Sequence, residues 1–303
     1  MPGSTTIVAI FGPTGIGKTA VAIALAERLR ARGEDPAAIS ADALQLYRGL
    51  EILTGAPSTA ERERLEHRLV GTLPLTATSS AGEFARAAHA EIDALLARGR
   101  RPIVVGGTGL YLRAALAELD LRPPVDPAIR ARRREQLEAV GAPALHAELA
   151  ERAPATAAAI RPQDAQRVTR ALELLDAGQA PPPGAEDSRL WTAELRRPTL
   201  LAGLTMDREA LNARIEARVD VMVAAGAERE VRAADAAGAS PGARQALGFE
   251  ALLAGDVDAM KAQTRRYAKR QLTWMRKLEG VRTIDVTGRA PEAVAEELHA
   301  ALA

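Results

Sequence analysis

Residues 7–19 read Ile-Val-Ala-Ile-Phe-Gly-Pro-Thr-Gly-Ile-Gly-Lys-Thr, and this stretch decides the fold class. Its first five residues are an apolar, β-rich run. The next eight (Gly12, Pro13, Thr14, Gly15, Ile16, Gly17, Lys18 and Thr19) match G-x-x-x-x-G-K-[ST] at all four fixed positions. Apolar residues then recur at helical spacing (Val21, Leu25, Leu29) up to a helix stop at Gly33. Strand, glycine loop, helix is the order in which such a loop grips phosphate. Glycines let backbone N–H groups turn inward, the helix N-terminus adds a favourable dipole, Lys18 supplies a charge and Thr19 a hydroxyl for Mg²⁺. A glycine-rich turn without a ligand is the bland alternative. The pattern specifies a di- or triphosphate and leaves open which.

The same alternation continues outward. A second short strand over residues 37–41 precedes Asp42, a helix over 81–98 stops at Gly99, and residues 102–105 read as a third, fully buried strand before Gly106-Gly107. From residue 126 to about 176 the chain reads as helical throughout, with breaks at Pro143, Pro154 and Pro162, followed by a solvated linker at 181–184. A strand returns at 199–206, then a helix capped by Asp207, a basic helix over 257–277 and a last strand over 281–286. The predicted fold class is α/β: a P-loop-type parallel sheet flanked by helices, with an inserted helical subdomain. Residues 1–120 and 199–303 form the predicted core and 121–198 the insertion.

Composition narrows the partners. The 303 residues hold 40 basic against 39 acidic side chains, net +1, so a polyanion must be met by a local patch rather than by overall charge. There is no cysteine, which excludes disulfides, thiolate zinc sites and thiol nucleophiles and suits a reducing compartment. The first strand follows Met1 closely without a basic leader, and no apolar run approaches the roughly 20 residues that span a bilayer. A cytoplasmic, monomeric protein with no membrane partner is expected.

Two features point to chemistry. The third strand ends in Gly106-Gly107-Thr108-Gly109 rather than in the acidic residue with which most nucleotide hydrolases of this loop type organise Mg²⁺, which counts against a motor or ATPase. Asp42 follows the second strand, and the carboxyl ends of parallel strands line the ligand crevice. Asp42 is therefore either a helix cap or a base beside the phosphate loop; Gln45 suits an adenine edge or a solvated helix face. In the basic helix, residues 259–278 carry seven Lys or Arg and no acid. Arg266, Arg270 and Thr273 share a face there, which favours a phosphate backbone over a merely solvated surface, while Tyr267 and Trp274 read as core anchors.

Taken together, residues 12–19, 40–50 (SADALQLYRGL), 105–112 (VGGTGLYL), 164–173 (DAQRVTRALE) and 264–276 (TRRYAKRQLTWMR) resemble the bacterial type of the tRNA dimethylallyltransferase (isopentenyl-tRNA transferase) family, in the family's order across about residues 7–278. The resemblance implies transfer of a dimethylallyl group from dimethylallyl diphosphate to the N6 amine of the adenosine 3′ to the anticodon in tRNA, with Mg²⁺ as cofactor and the insertion binding tRNA. It implies that residues 12–19 hold the diphosphate rather than ATP, that Asp42 is the base and that Thr19 is the phosphate and Mg²⁺ ligand. Thr108 and Arg130 would lie along the tRNA and reaction channel. Asp42, Ala43, Leu44 and Gln45, with Gln166, Arg167, Val168, Thr169 and Arg170, match stretches that touch tRNA, and Arg214 and Arg218 match further diphosphate contacts.

Departures from the family pattern are Ala43 for Ser, Leu53-Thr54-Gly55-Ala56-Pro57 for Gly-Thr-Ala-Lys-Pro, and His67-Arg68 for a His pair. Arg48, Arg64 or Arg68 are the expected compensation for the lost lysine. An adenylate isopentenyltransferase acting on free nucleotides, a small-metabolite kinase and a non-enzymatic RNA-binding switch are the alternatives. The helical insertion and the basic helix favour a large RNA partner.

Overall fold

Six strands form one all-parallel sheet in the order β3-β2-β4-β1-β5-β6. In the computed structural model, which describes residues 5–119, 121–122, 125–181, 190 and 192–302, the chain runs from β1 (Ile7–Phe11) through α1 (Lys18–Arg30) to β2 (Pro36–Ser40). Next come α2 (Glu51–Thr54), α3 (Thr59–Arg64), the two-residue β3 (His67–Arg68), α4 (Ala81–Ala97), β4 (Arg101–Gly106) and α5 (Gly109–Leu116). After the helical section follow β5 (Thr199–Thr205), then helices, then β6 (Arg282–Asp285). The central strands β1 and β2 are buried along their whole length, as expected of apolar runs covered on both faces. β3 and the short α2 and α3 carry no signal in the sequence; the other strands stand within a residue or two of their predicted places.

The chain divides into two compact units, residues 1–119 with 193–303 and residues 120–192. In the first, α1 packs Val21, Leu25 and Leu29 beneath the sheet against α13 (Pro291–Ala300). The second is helical: α6 (Pro127–Arg152), α7 (Pro154–Ala158) and α8 (Ala165–Asp176) enclose Leu145, Leu149, Ala157, Val168 and Leu172. The break expected at Pro143 falls at Gly141, whose φ of 77° leaves the helical region and bends α6. Of the predicted linker, residues 182–184 lie outside the described residues.

After β5 come α9 (Arg208–Ala224), α10 (Ala227–Ala236), α11 (Phe249–Leu253) and α12 (Val257–Met275). Asp207 caps α9, accepting from the N–H groups of Glu209 at 2.9 Å and Ala210 at 3.0 Å. Among the described residues no helix is long and apolar enough to cross a membrane.

Candidate active site

Strand order builds the site. β4 lies between β1 and β2, and the three end level, with Phe11 opposite Gly106 and Ser40 opposite Val105. The loop after β1 and Asp42 after β2 therefore face each other across the end of β4. Only glycine fits that end. A Cβ on Gly106 would lie 2.4 Å from the Ala41 carbonyl oxygen, and one on Gly107 would lie 3.3 Å from Lys18 Nζ. Glycine at these two positions thus leaves room for the backbone at Ala41, just before Asp42, and for the Lys18 side chain.

Within the loop, Gly15 (φ 81°) and Gly17 (φ 98°) adopt the left-handed backbone that turns the chain into α1. Lys18 Nζ donates to the carbonyl oxygens of Gly12 and Pro13, each at 2.9 Å. Burial lowers its pKa to about 8; Asp42 opposes that shift and Arg218 adds to it. Burial also raises the Asp42 carboxyl above the usual carboxylate range, opposed by the Leu44 N–H, which donates to Oδ1 at 3.0 Å, and by the charges of Lys18 and Arg218. Asp42 is not a helix cap: residues 43–46 form turns, and the Leu44 bond closes a local Asx-turn. Thr19 stands half-buried in the first turn of α1.

Helix α9 lays two arginines beside the loop. Its buried stripe of Leu211, Ile215 and Val219 faces the core, with Ile215 packed under Gly15, so Arg214 and Arg218 project alongside. Arg214 Nε donates to the Gly15 carbonyl at 3.0 Å. Arg218 is half-buried, donates from Nη2 to the Gly55 carbonyl at 3.3 Å, and keeps a buried Nε with no hydrogen-bond partner among the described residues. Burial lowers its pKa, against the pull of Glu61 and Asp42. Lys18, Arg214 and Arg218 therefore stand about the loop with Asp42 and Glu61 as the carboxylates whose charges reach them, an excess of positive charge that suits a diphosphate.

Several expectations are corrected. Gln45 is not a solvated helix residue: its Oε1 accepts from Ser40 Oγ at 2.8 Å and its Nε2 donates to the Gly55 carbonyl at 3.3 Å. Ala43 and Leu44 are half-buried in the same turn. The arginines expected to replace the family lysine point elsewhere: Arg48 Nε donates to the Gly71 carbonyl at 3.3 Å, Arg64 pairs with Glu27 and Arg68 with Glu66 and Glu91. The cations that meet this loop are Arg62, whose Nε donates to the Pro57 carbonyl at 3.0 Å, and Arg218, on the Gly55 carbonyl. The Arg218 contact depends on glycine, because a Cβ on Gly55 would lie 1.7 Å from Nη2.

On α12, Tyr267 is not simply a core anchor: it is half-buried and its hydroxyl lies 3.0 Å from Thr108 Oγ1, where α5 begins. Trp274, also half-buried, packs on Gly109, where a Cβ would fall 2.2 Å from the indole. The basic helix is partly neutralised by α9, since Lys261 pairs with Asp220 at 2.6 Å and Arg265 with Glu216 at 2.7 Å. Arg266 and Arg270 are exposed, with the Arg270 guanidinium over the Tyr267 ring, 5.4 Å from its centroid.

The remaining predicted RNA contacts belong to the helical unit. Gln166 and Arg167 are exposed on α8, Arg170 pairs with Glu173 at 3.1 Å, and Arg130 Nε stands 3.8 Å from the same carboxylate. Thr169 Oγ1 is buried without a hydrogen-bond partner among the described residues. Val168 is corrected: its side chain is fully buried in the unit's apolar core, so it holds α8 in place and offers RNA no surface.

Sequence reasoning missed Gln271. It is buried on α12, accepts from the Thr14 N–H at 2.9 Å and donates to the Gly107 carbonyl at 2.7 Å. The signal was present: Thr264, Ala268, Gln271 and Met275 form the buried stripe of α12, and an amide on such a stripe must find partners.

The profile of the IPP transferase family matches residues 45–278. A tRNA dimethylallyltransferase of Thermobifida fusca is 40% identical over 289 residues, covering 90% of this chain and 88% of that protein. One of Anaeromyxobacter is 43% identical over 290 residues, covering 91% of each. Among solved structures, the full-length tRNA isopentenylpyrophosphate transferase from Bacillus halodurans has a TM-score of 0.70 at 32% identity, covering 98% of this chain and 95% of that one. A eukaryotic dimethylallyltransferase acting on tRNA has a TM-score of 0.74 at 26% identity, covering 94% and 74%. Matched by the family profile over most of its length and 40–43% identical to these relatives over about nine-tenths of it, the chain belongs to the IPP transferase family.

Proposed function

We propose that this protein is a tRNA dimethylallyltransferase that moves a dimethylallyl group from its diphosphate to the N6 amine of the adenosine 3′ to the anticodon. The observation that carries the reading is the placing of Asp42 and Lys18 on either side of the glycine end of β4, near enough for each charge to act on the other, with Arg214 and Arg218 alongside the loop. Three cations and inward-turned backbone N–H groups suit the diphosphate. One carboxylate close to them suits proton removal from an incoming amine.

In the reaction, the N–C bond forms at the allylic carbon as the C–O bond breaks. The bonding pair leaves with the diphosphate, which Lys18, Arg214 and Arg218 stabilise, and Asp42 accepts the proton from nitrogen. The base must leave the anticodon stack to reach this pocket. The donor set fits Mg²⁺ held in the usual way, by the Thr19 hydroxyl and the diphosphate's own oxygens. When bound, Mg²⁺ would neutralise charge on the leaving group.

The test is the mass of nucleosides recovered from tRNA after incubation with the protein and dimethylallyl diphosphate. An adenosine heavier by one five-carbon allyl unit is expected. Modification of AMP in place of tRNA would favour the adenylate enzyme, and ATP turnover without prenyl transfer a kinase.

A further inference from the structure

We infer that Gln271 is a positioning residue that sets the shape of the diphosphate cradle from the basic helix. The inference rests on the function proposed above. The phosphate loop and the Gly106-Gly107 turn belong to different strands, β1 and β4, and Gln271 joins their tips. It reaches in from α12 and does so with both ends of one amide. Its Oε1 takes the Thr14 N–H of the loop and its Nε2 gives to the Gly107 carbonyl of the turn. One turn earlier on α12, the Tyr267 hydroxyl meets Thr108 Oγ1 at 3.0 Å, just beyond the same glycine turn.

The fit is tight. A Cβ on Gly107 would stand 2.2 Å from Gln271 Nε2 and 3.1 Å from the Gly12 carbonyl oxygen. Gly107 therefore admits both the amide on one side and Lys18 on the other. Because Gln271 is buried, water cannot replace either hydrogen bond if the amide is lost.

Two consequences follow for the cradle. The Thr14 N–H is committed to Gln271 and the Ile16 N–H donates to the Pro13 carbonyl at 3.4 Å, so the loop peptides available to the diphosphate are those of Gly15 and of Gly17 to Thr19. The spacing between that row of N–H groups and the Asp42 side of the crevice is held by the amide bridge. Loss of the bridge frees the loop to sample arrangements in which the N–H groups no longer converge. Diphosphate affinity falls, while RNA affinity, governed by exposed cations elsewhere on α12, does not.

The experiment compares wild type, Gln271→Met (near-isosteric, with neither hydrogen bond) and Gln271→Glu by calorimetric titration with pyrophosphate, alongside KM for dimethylallyl diphosphate and Kd for an anticodon stem-loop RNA. Q271M is expected to weaken pyrophosphate binding and raise that KM by about tenfold, with RNA affinity changed less than about twofold. Q271E retains the acceptor for Thr14 but, when ionised, sets an oxygen against the Gly107 carbonyl. Its protonated form can donate there again. The ratio of Q271E to wild-type Kd should therefore fall towards one as the pH is lowered, a rescue that a purely structural role would not produce.

Pyrophosphate affinity equal to wild type in folded Q271M, or a Q271E ratio that is flat with pH, overturns the inference. A wild-type protein that neither binds pyrophosphate nor prenylates tRNA overturns the proposed function and this inference with it. A wild type that does both, beside an unaffected Q271M, overturns this inference alone.

Discussion

At the residue scale the site is an exchange of influence between one acid and one base. Asp42 is held above the ordinary carboxylate range by burial, while Lys18 is lowered to about 8 by the same cause. For Asp42 the sign is simple: a base must be ionised, so the acid limb of kcat lies at higher pH than it would for an exposed aspartate. Asp42→Asn keeps an oxygen for the Leu44 N–H, and with it the turn, but cannot take the proton. Single-turnover prenyl transfer at saturating substrates should slow by roughly two to four powers of ten, with tRNA Kd little changed; a rate near wild type removes Asp42 from the chemistry. For Lys18, a diphosphate favours the charged form that burial disfavours. Binding near pH 8 should therefore take up protons, seen as a dependence of the apparent binding enthalpy on the ionisation enthalpy of the buffer. Lys18→Met should abolish that dependence and weaken the affinity.

At the scale of elements, the strands and α1 were legible because their stability is local in pattern: buried parallel strands are continuous apolar runs, and α1 repeats Val21, Leu25 and Leu29 on one face. α2 was not legible because it does not hold itself. Its Ile52 and Leu53 N–H groups donate to Glu230, a residue of α10, at 2.9 and 2.7 Å. Gln271 escaped for the same reason, since its partners are over 150 residues away in the chain. The helical unit shows the opposite case, an element pair fixed by charge. Arg133 of α6, with its side chain 5% exposed, bonds Asp176 of α8 through Nε at 2.6 Å and Nη2 at 2.7 Å, and Glu148 through two further bonds at 2.8 Å. Asp176→Asn removes one of the two carboxylates that hold that guanidinium and leaves Glu148 in place, and a loss of about 1.5–3 kcal/mol from the helical unit is expected. Arg133, first among its partners, depresses the Asp176 pKa far below its ordinary 3.8. Its contribution is therefore present above that value and lost as pH falls through the depressed one. Amide protection factors in α6 and α8 should fall on acidification below about pH 4 in wild type, and in the variant should be lowered already at neutral pH. Protection equal to wild type in the variant at neutral pH would mean that the pair orients α8 without stabilising it.

For the whole molecule the constraint is charge. A chain with a net charge of +1 cannot attract a polyanion by its total, so affinity for tRNA must come from the few cations left uncompensated on the surface. On α12 the structure separates these from the rest. Lys261 and Arg265 are committed to Asp220 and Glu216, whereas Arg266 and Arg270 are exposed and form no ion pair among the described residues. A cation already paired within the protein releases fewer counterions from RNA when it binds, so the count of basic residues overstates the patch. The two pairs of substitutions should therefore separate. Arg266→Ala with Arg270→Ala is expected to flatten the slope of log Kd against log salt by about 1.4–1.8, the loss of two phosphate contacts at roughly 0.7–0.9 each. Lys261→Ala with Arg265→Ala, which removes the same formal charge from the same helix, should leave the slope within about 0.5 of wild type. Equal slopes for the two double variants would mean that tRNA responds to the summed charge of α12 rather than to its two exposed arginines.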